Sequence, residues 1–190
     1  MQKTLYQSIS LTIILFILLG GIYPIVTTLV GKLLFKNQAE GSIVYANNAP
    51  IGSKLIAQNF TKEIYFHPRP SSAGNGYDAS HSAASNLAPS NQALLDKMEA
   101  SIKQVLKENP TIKREDIPID LVTSSGSGLD PHISVVAATI QIPRIAKARK
   151  VDASVIKSLV DKQTHYPTFG FIGEKTVNVL ELNLALDANQ

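Results

Sequence analysis

From Thr4 to Gly31 the chain carries no charged side chain, a run of 28 residues between Lys3 and Lys32. Within it, Ile9–Ile17 and Leu18–Val30 are dominated by Ile, Leu, Val and Phe. A helix crosses the ~30 Å hydrocarbon core of a bilayer with about 20 apolar residues, so this run spans with room for tilt. The competing reading is a cleaved signal peptide, whose apolar region runs about 7–15 residues and ends at small residues. Here the run passes that length and continues into Lys32-Leu-Leu-Phe35 without such a site. The expectation is an uncleaved anchor helix over residues 1–35 and a domain over residues 36–190. Lys3 and the terminal amine on one side, and Lys32 and Lys36 on the other, leave the orientation open. Gly20, Gly21 and Pro24 lie inside the span. Membrane helices tolerate such residues, and the small ones also permit close approach of a partner helix.

Composition excludes several chemistries. With no cysteine there is no disulfide framework, thiolate zinc site or catalytic thiol. The net charge of +3 is mild, and the lysines and arginines are scattered rather than striped. That pattern argues against nucleic acid as a partner.

Beyond the anchor, Gly41–Tyr45 and Ile51–Ile56 flank an Asn-rich turn and predict a hairpin. Phe66–Asn91 is rich in Ser, Ala, Asn, Gly and Pro and cannot bury a core of its own. A loop this long inside a domain is functional or disordered. It holds Arg69, Asp78 and His81. A metal site from His67, Asp78 and His81 matches no ligand spacing, so no metal is expected. The Asn59-Phe-Thr61 sequon is a short pattern that recurs by chance. Ser90–Asn109 predicts a helix, with Leu94, Leu95, Met98, Ile102, Val105 and Leu106 at helical spacing, Ser90 as N-cap and Asn109-Pro110 as the stop. Ile117–Thr123 reads as a strand. Ile133–Gln141 reads as a helix that Pro143 must break, opening a basic helix over Arg144–Lys150. Asp152 caps a further helix with Val155, Ile156, Leu159 and Val160 on its inner face. Thr176–Leu186 reads as a buried strand with a bulge at Val179-Leu180. The resulting class is a single transmembrane helix followed by a small α/β (α+β) domain with a mixed sheet.

The stretch Thr123–Ser134, T-S-S-G-S-G-L-D-P-H-I-S, concentrates the residue types of active sites. Three readings stand open. In a hydrolase, Ser127 would attack, His132 would take its proton and Asp130 would orient the ring. Three triad members within six residues of one loop rarely reach that geometry, and the G-x-S-x-G elbow is absent. In an anion cradle, the amides of Ser124, Ser125, Gly126, Ser127 and Gly128 would face a phosphate. No Walker lysine follows, and Gly52-Ser53-Lys54 matches only the end of that motif. In the structural reading, the glycines make an unusual turn, while Asp130 or Ser134 caps a helix that Pro131 stiffens.

Ser124-Ser-Gly-Ser-Gly-Leu-Asp-Pro-His-Ile-Ser134 closely resembles the signature of the C subunit of the bacterial Kdp-type potassium-transporting ATPase. Gly52–Gln58 with Phe60, Tyr65-Phe-His-Pro-Arg-Pro-Ser71, Ser85-Asn-Leu-Ala-Pro-Ser-Asn91, Gln141-Ile-Pro-Arg144 and Val177-Asn-Val-Leu-Glu-Leu-Asn183 resemble further blocks of that family, in order. Ala84 and Ala88 stand where glycine is usual there. The resemblance implies a non-catalytic accessory subunit of a potassium pump. Its partners would be a channel-like potassium-translocating subunit, a P-type ATPase subunit and a small single-helix subunit. It would be a single-pass inner-membrane protein with a periplasmic domain. The family is described as a catalytic chaperone raising the ATP affinity of the ATPase subunit. ATP would then act through that subunit, with no tightly bound cofactor in this chain. Direct nucleotide contact by Ser124–Gly128 conflicts with a periplasmic domain, because ATP is cytoplasmic. Candidate partner contacts are Gly20, Gly21, Pro24, Arg69, Asp130 and His132, and no catalytic residue is expected.

Overall fold

The computed structural model describes residues 2–46 and 48–189. The chain divides into two compact units that meet at Ile51–Gly52.

The first unit opens with a continuous helix over Gln2–Leu34, 33 residues, none of them buried. At 1.5 Å per residue it measures about 50 Å, longer than the bilayer core it has the composition to cross. It is built from α1 (Gln2–Ile17), a π-helical turn (Leu18–Ile22) and α2 (Tyr23–Leu34). The π turn has a local cause. Pro24 has no N–H and its ring crowds the carbonyl four residues back. Widening the preceding turn, where the Tyr23 N–H reaches back to the Leu18 carbonyl, admits the ring without breaking the helix. A short helix, α3 (Lys36–Ala39), follows.

Strands β1 (Ile43–Ala46) and β2 (Ala49–Ser53) form the expected hairpin, each shifted by about two residues from the sequence reading. Asn47 of the expected turn lies outside the described residues. Pro50 falls inside β2, which a two-stranded sheet tolerates because each strand is an edge.

From Lys54 to Asn91 the chain has no helix or strand. Then α4 (Gln92–Glu108) begins one residue later than expected. Its cap is Asn91, whose side chain accepts from the Ala93 N–H at 2.9 Å, rather than Ser90. Three expectations fail beyond it. Ile117–Thr123 is not a strand but a 3-10 turn at Ile119–Leu121. The helix meant to stop at Pro143 runs unbroken as α5 (Val135–Arg149), after strand β3 (His132–Ser134). Pro143 and Thr139, whose carbonyl it frees, both face solvent, so water can satisfy that carbonyl. Asp152 does cap α6 (Ala153–Lys162), accepting from the Ser154 N–H at 2.7 Å. After β4 (Thr164–His165), the segment read as one long strand is β5 (Thr176–Asn178) followed by helix α7 (Val179–Ala188).

The sheet order is β3-β5-β4, with both ladders antiparallel, so the mixed sheet narrows to one pairing sense. One face of the sheet and the inner faces of α5, α6 and α7 enclose the core. Phe66, Ile133, Ile145, Ile156, Val160, Val177 and Leu182 are its largest fully buried apolar side chains.

Candidate functional site

The Ser/Gly loop is a fastener. Gly128 adopts φ +69°, and a Cβ there would lie 2.4 Å from the Ala83 carbonyl oxygen and 2.8 Å from the Ala73 nitrogen. Only glycine fits so close to two other backbones. The Gly128 carbonyl accepts from Ser71 Oγ at 2.6 Å, and Ser71 Oγ in turn accepts the N–H groups of Ala73 (3.1 Å) and Tyr77 (2.8 Å). The Ser127 carbonyl accepts from Ala83 N–H at 2.9 Å and Ser82 Oγ at 3.0 Å. Two stretches of the irregular segment, residues 71–77 and 82–83, are thereby tied to one loop. The Tyr77 hydroxyl donates to the Arg69 carbonyl at 2.7 Å, and burial pushes its pKa up to about 12.

A second fastener lies deeper. The Asn183 amide in α7 accepts from Phe66 N–H (2.8 Å) and donates to Phe66 C=O (3.0 Å). The Gln141 amide in α5 does the same for His67, at 2.8 Å and 3.2 Å. Two buried side-chain amides thus stand in for a neighbouring strand beside two successive residues. Arg144 donates to the carbonyls of Glu63 (2.6 Å) and Tyr65 (3.0 Å) and to Gln141 Oε1 (2.7 Å). Arg149 donates to the carbonyls of Ile64 (2.8 Å) and Leu186 (3.1 Å) and pairs with Asp187 at 2.7 Å. These contacts satisfy backbone groups that an irregular buried segment would otherwise leave unpaired. Sequence reading gave Gln141, Arg144 and Asn183 no role beyond family blocks. The signal available was a polar residue on the inner face of an otherwise apolar helix.

The proposed metal trio separates. His81 pairs with Asp78 at 2.9 Å, whereas His67 pairs with Glu108 at 2.9 Å. No group of three potential ligands converges among the described residues. His67 and Glu108 line a cleft of about 470 Å³ together with Phe60, Pro70, Tyr77 and Gln104. Burial works to raise the Glu108 pKa, but hydrogen bonds from His67 and Gln104 outweigh it and hold the carboxyl below its ordinary range.

The hydrolase trio does not assemble either. Ser127 Oγ accepts from Leu129 N–H at 3.1 Å and meets Ser125 Oγ at 3.3 Å, while His132 Nδ1 faces Asp130 at 3.3 Å. No contact joins Ser127 to His132 among the described residues. Two amides of the loop are bonded within it: Gly128 N–H donates to the Ser125 carbonyl (3.2 Å) and Asp130 N–H to Ser125 Oγ (3.4 Å). Asp130 is instead the centre of a polar cluster. It pairs with Arg69 at 3.1 Å and with His132, which brings three partner-contact candidates together. The His132 hydrogen bond, opposed by partial burial and aided by Arg69, holds the Asp130 carboxyl below its ordinary 3.8. The other three candidates lie in or next to the π turn of the anchor, where a Cβ on Gly21 would meet open space.

A family model described as "K+-transporting ATPase, c chain" matches residues 5–188. The chain belongs to the KdpC family. A Koribacter versatilis protein named potassium-transporting ATPase KdpC subunit is 43% identical over 190 residues, covering 100% of this chain and 97% of that one. A similarly named Rhodospirillum rubrum protein is 49% identical over 187 residues, covering 98% and 96%. One from Mycobacterium tuberculosis (strain H37Rv) is 44% identical over 187 residues, covering 98% and 99%. As a KdpC-family member the chain is an accessory, non-catalytic subunit of the Kdp potassium-transporting complex. One apolar span followed by a water-soluble domain is the arrangement of a single-pass inner-membrane protein with an extracytoplasmic domain. Within this KdpC-family chain, three of the blocks that carried the resemblance, Ser124–Ser134, Gln141–Arg144 and Val177–Asn183, supply side chains or carbonyls that fasten residues 63–83.

Proposed function

We propose that this chain stabilises the Kdp complex by packing its anchor helix against partner helices through Gly20, Gly21 and Pro24. Its domain presents the pinned segment Phe66–Asn91, with Arg69, Asp130 and His132 beside it, to the channel-like potassium-translocating subunit. The small single-helix subunit and the P-type ATPase subunit complete the assembly. The chain raises the ATP affinity of the ATPase subunit through these contacts, with ATP held by that subunit rather than by this chain. The match over residues 5–188 carries this reading. The Gly128 N–H is already bonded to the Ser125 carbonyl, and ATP is cytoplasmic while the domain is extracytoplasmic, which together favour the indirect route over direct nucleotide contact.

The deciding experiment compares potassium-stimulated ATP hydrolysis by the complex with and without this chain, across ATP concentration. The expected result is a higher half-saturating ATP concentration when the chain is absent. An unchanged ATP dependence refutes the effect on affinity. Gentle detergent extraction that recovers this chain alone, free of any polytopic partner, refutes the assembly role.

A further inference from the structure

His132 and His165 converge from separate strands. In the sheet, His132 pairs with Asn178 and His165 with Thr176. Asn178 and Thr176 are two apart on β5, so both histidines belong to the same face of the sheet. Their rings meet edge to face, with centroids 6.2 Å apart and planes at 88°. Each ring has one nitrogen against a carboxylate: His132 Nδ1 lies 3.3 Å from Asp130 and His165 Nε2 lies 3.4 Å from Glu181. A carboxylate there draws the ring proton to that nitrogen and leaves the other with a lone pair. Neither His132 Nε2 nor His165 Nδ1 has a partner among the described residues. A carboxylate behind each imidazole is the outer-shell arrangement that orients metal-binding histidines.

The electrostatics permit a cation. Arg69 neutralises Asp130 at 3.1 Å and Lys54 neutralises Glu181 at 2.5 Å, so the two pairs add no net charge. The side chains of His132 and His165 are 39% and 56% exposed, which leaves water access to the site. An ion bound at about 2.0–2.1 Å by each nitrogen in tetrahedral geometry sets two ring centres roughly 5–6 Å apart. The centroid separation here, 6.2 Å, is close to that.

We propose that His132 Nε2 and His165 Nδ1 together bind a divalent transition-metal ion of the zinc type, with water filling the remaining positions. Imidazole nitrogen selects such borderline ions over magnesium and calcium, which take oxygen ligands.

The test is calorimetric titration of the full chain, free of any histidine tag and in detergent micelles, with zinc chloride. One saturable site is expected, with no binding of magnesium chloride under the same conditions. His132→Ala and His165→Ala should each weaken zinc binding by about tenfold or more, and Glu181→Gln by about tenfold through the lost outer-shell contact. His81→Ala should bind as the parent chain does. Absence of saturable zinc binding, equal binding of magnesium, unchanged affinity in His165→Ala, or loss of the site in His81→Ala overturns the proposal. Should His132→Ala fail to fold, the exposed His165→Ala decides alone, with its thermal melt as the control.

Discussion

Asn183 holds Phe66 by both of its backbone polar groups, at 2.8 Å and 3.0 Å, across 117 residues of sequence. Phe66 and Asn183 are both buried, at 0% and 2% exposure. Replacing Asn183 by Ala therefore strands a peptide N–H and a C=O away from water. Each such group costs about 1–3 kcal/mol, so Asn183→Ala should lower stability by about 3 kcal/mol. Urea unfolding of the full chain in micelles measures this. A loss under about 1 kcal/mol would mean that water replaces the amide and the clamp is dispensable.

Gly128→Ala tests the other fastener. The substitution places a methyl group against the Ala83 carbonyl and demands a left-handed backbone from an L-residue. The backbone term alone is about 1–2 kcal/mol, and the collision adds to it. The loop should retreat and release Ser71 and Ala83, so limited proteolysis should cut residues 71–84 faster. Gly126→Ala is the control, since its Cβ would meet open space. Equal cleavage of the two variants would refute the fastening role of Gly128.

Acid should loosen the cleft between α4 and the irregular segment. Glu108 is held below its ordinary value of 4.5 in the folded chain. A depressed carboxylate pKa stabilises the fold above the unfolded value, and that contribution disappears as pH falls through the folded one. The loss attributable to Glu108 thus begins near pH 4.5 and is complete below its folded pKa. Thermal melts of the parent and of Glu108→Gln should differ at pH 7, with the difference shrinking as the pH is taken progressively below 4.5. A constant difference across that range would show that the ionised form of Glu108 contributes nothing.

The anchor, α4 and α6 were legible because each carries a long period or a local cap. The anchor needs only an uninterrupted apolar run, and α6 is announced by Asp152 ahead of Ile156, Leu159 and Val160. The α7 segment misled because the valines at and just before its start favour strands and apolar residues alternate there by chance. Four of its five buried residues, Val179, Leu182, Asn183 and Leu186, have the helical spacing i, i+3, i+4, i+7. Asn178 accepting from the Glu181 N–H at 3.2 Å is the cap that marks the start, a signal present in the sequence. The pairing of the fasteners with their partners was not legible. Gln141 meets His67 across 74 residues, and nothing local to either one names the other. The Ser/Gly loop drew attention for its chemistry, while its use depends on Ala73 and Ala83, residues with no functional signature.

Pro143 gives the last test, because the helix it should break survives. In α5 it sits between Gln141 and Arg144, which both clamp the irregular segment. Proline in a helix interior costs about 3 kcal/mol relative to alanine, although it also stiffens the unfolded chain by about 0.4–1 kcal/mol. Pro143→Ala should restore the hydrogen bond to Thr139 and raise stability by about 1–2 kcal/mol, the difference between those effects reduced because the exposed Thr139 leaves its carbonyl open to water. Urea unfolding against the parent chain measures it. A destabilised Pro143→Ala would mean that the proline sets the curvature bringing Gln141 and Arg144 onto residues 63–67, and that α5 needs its ring rather than tolerating it.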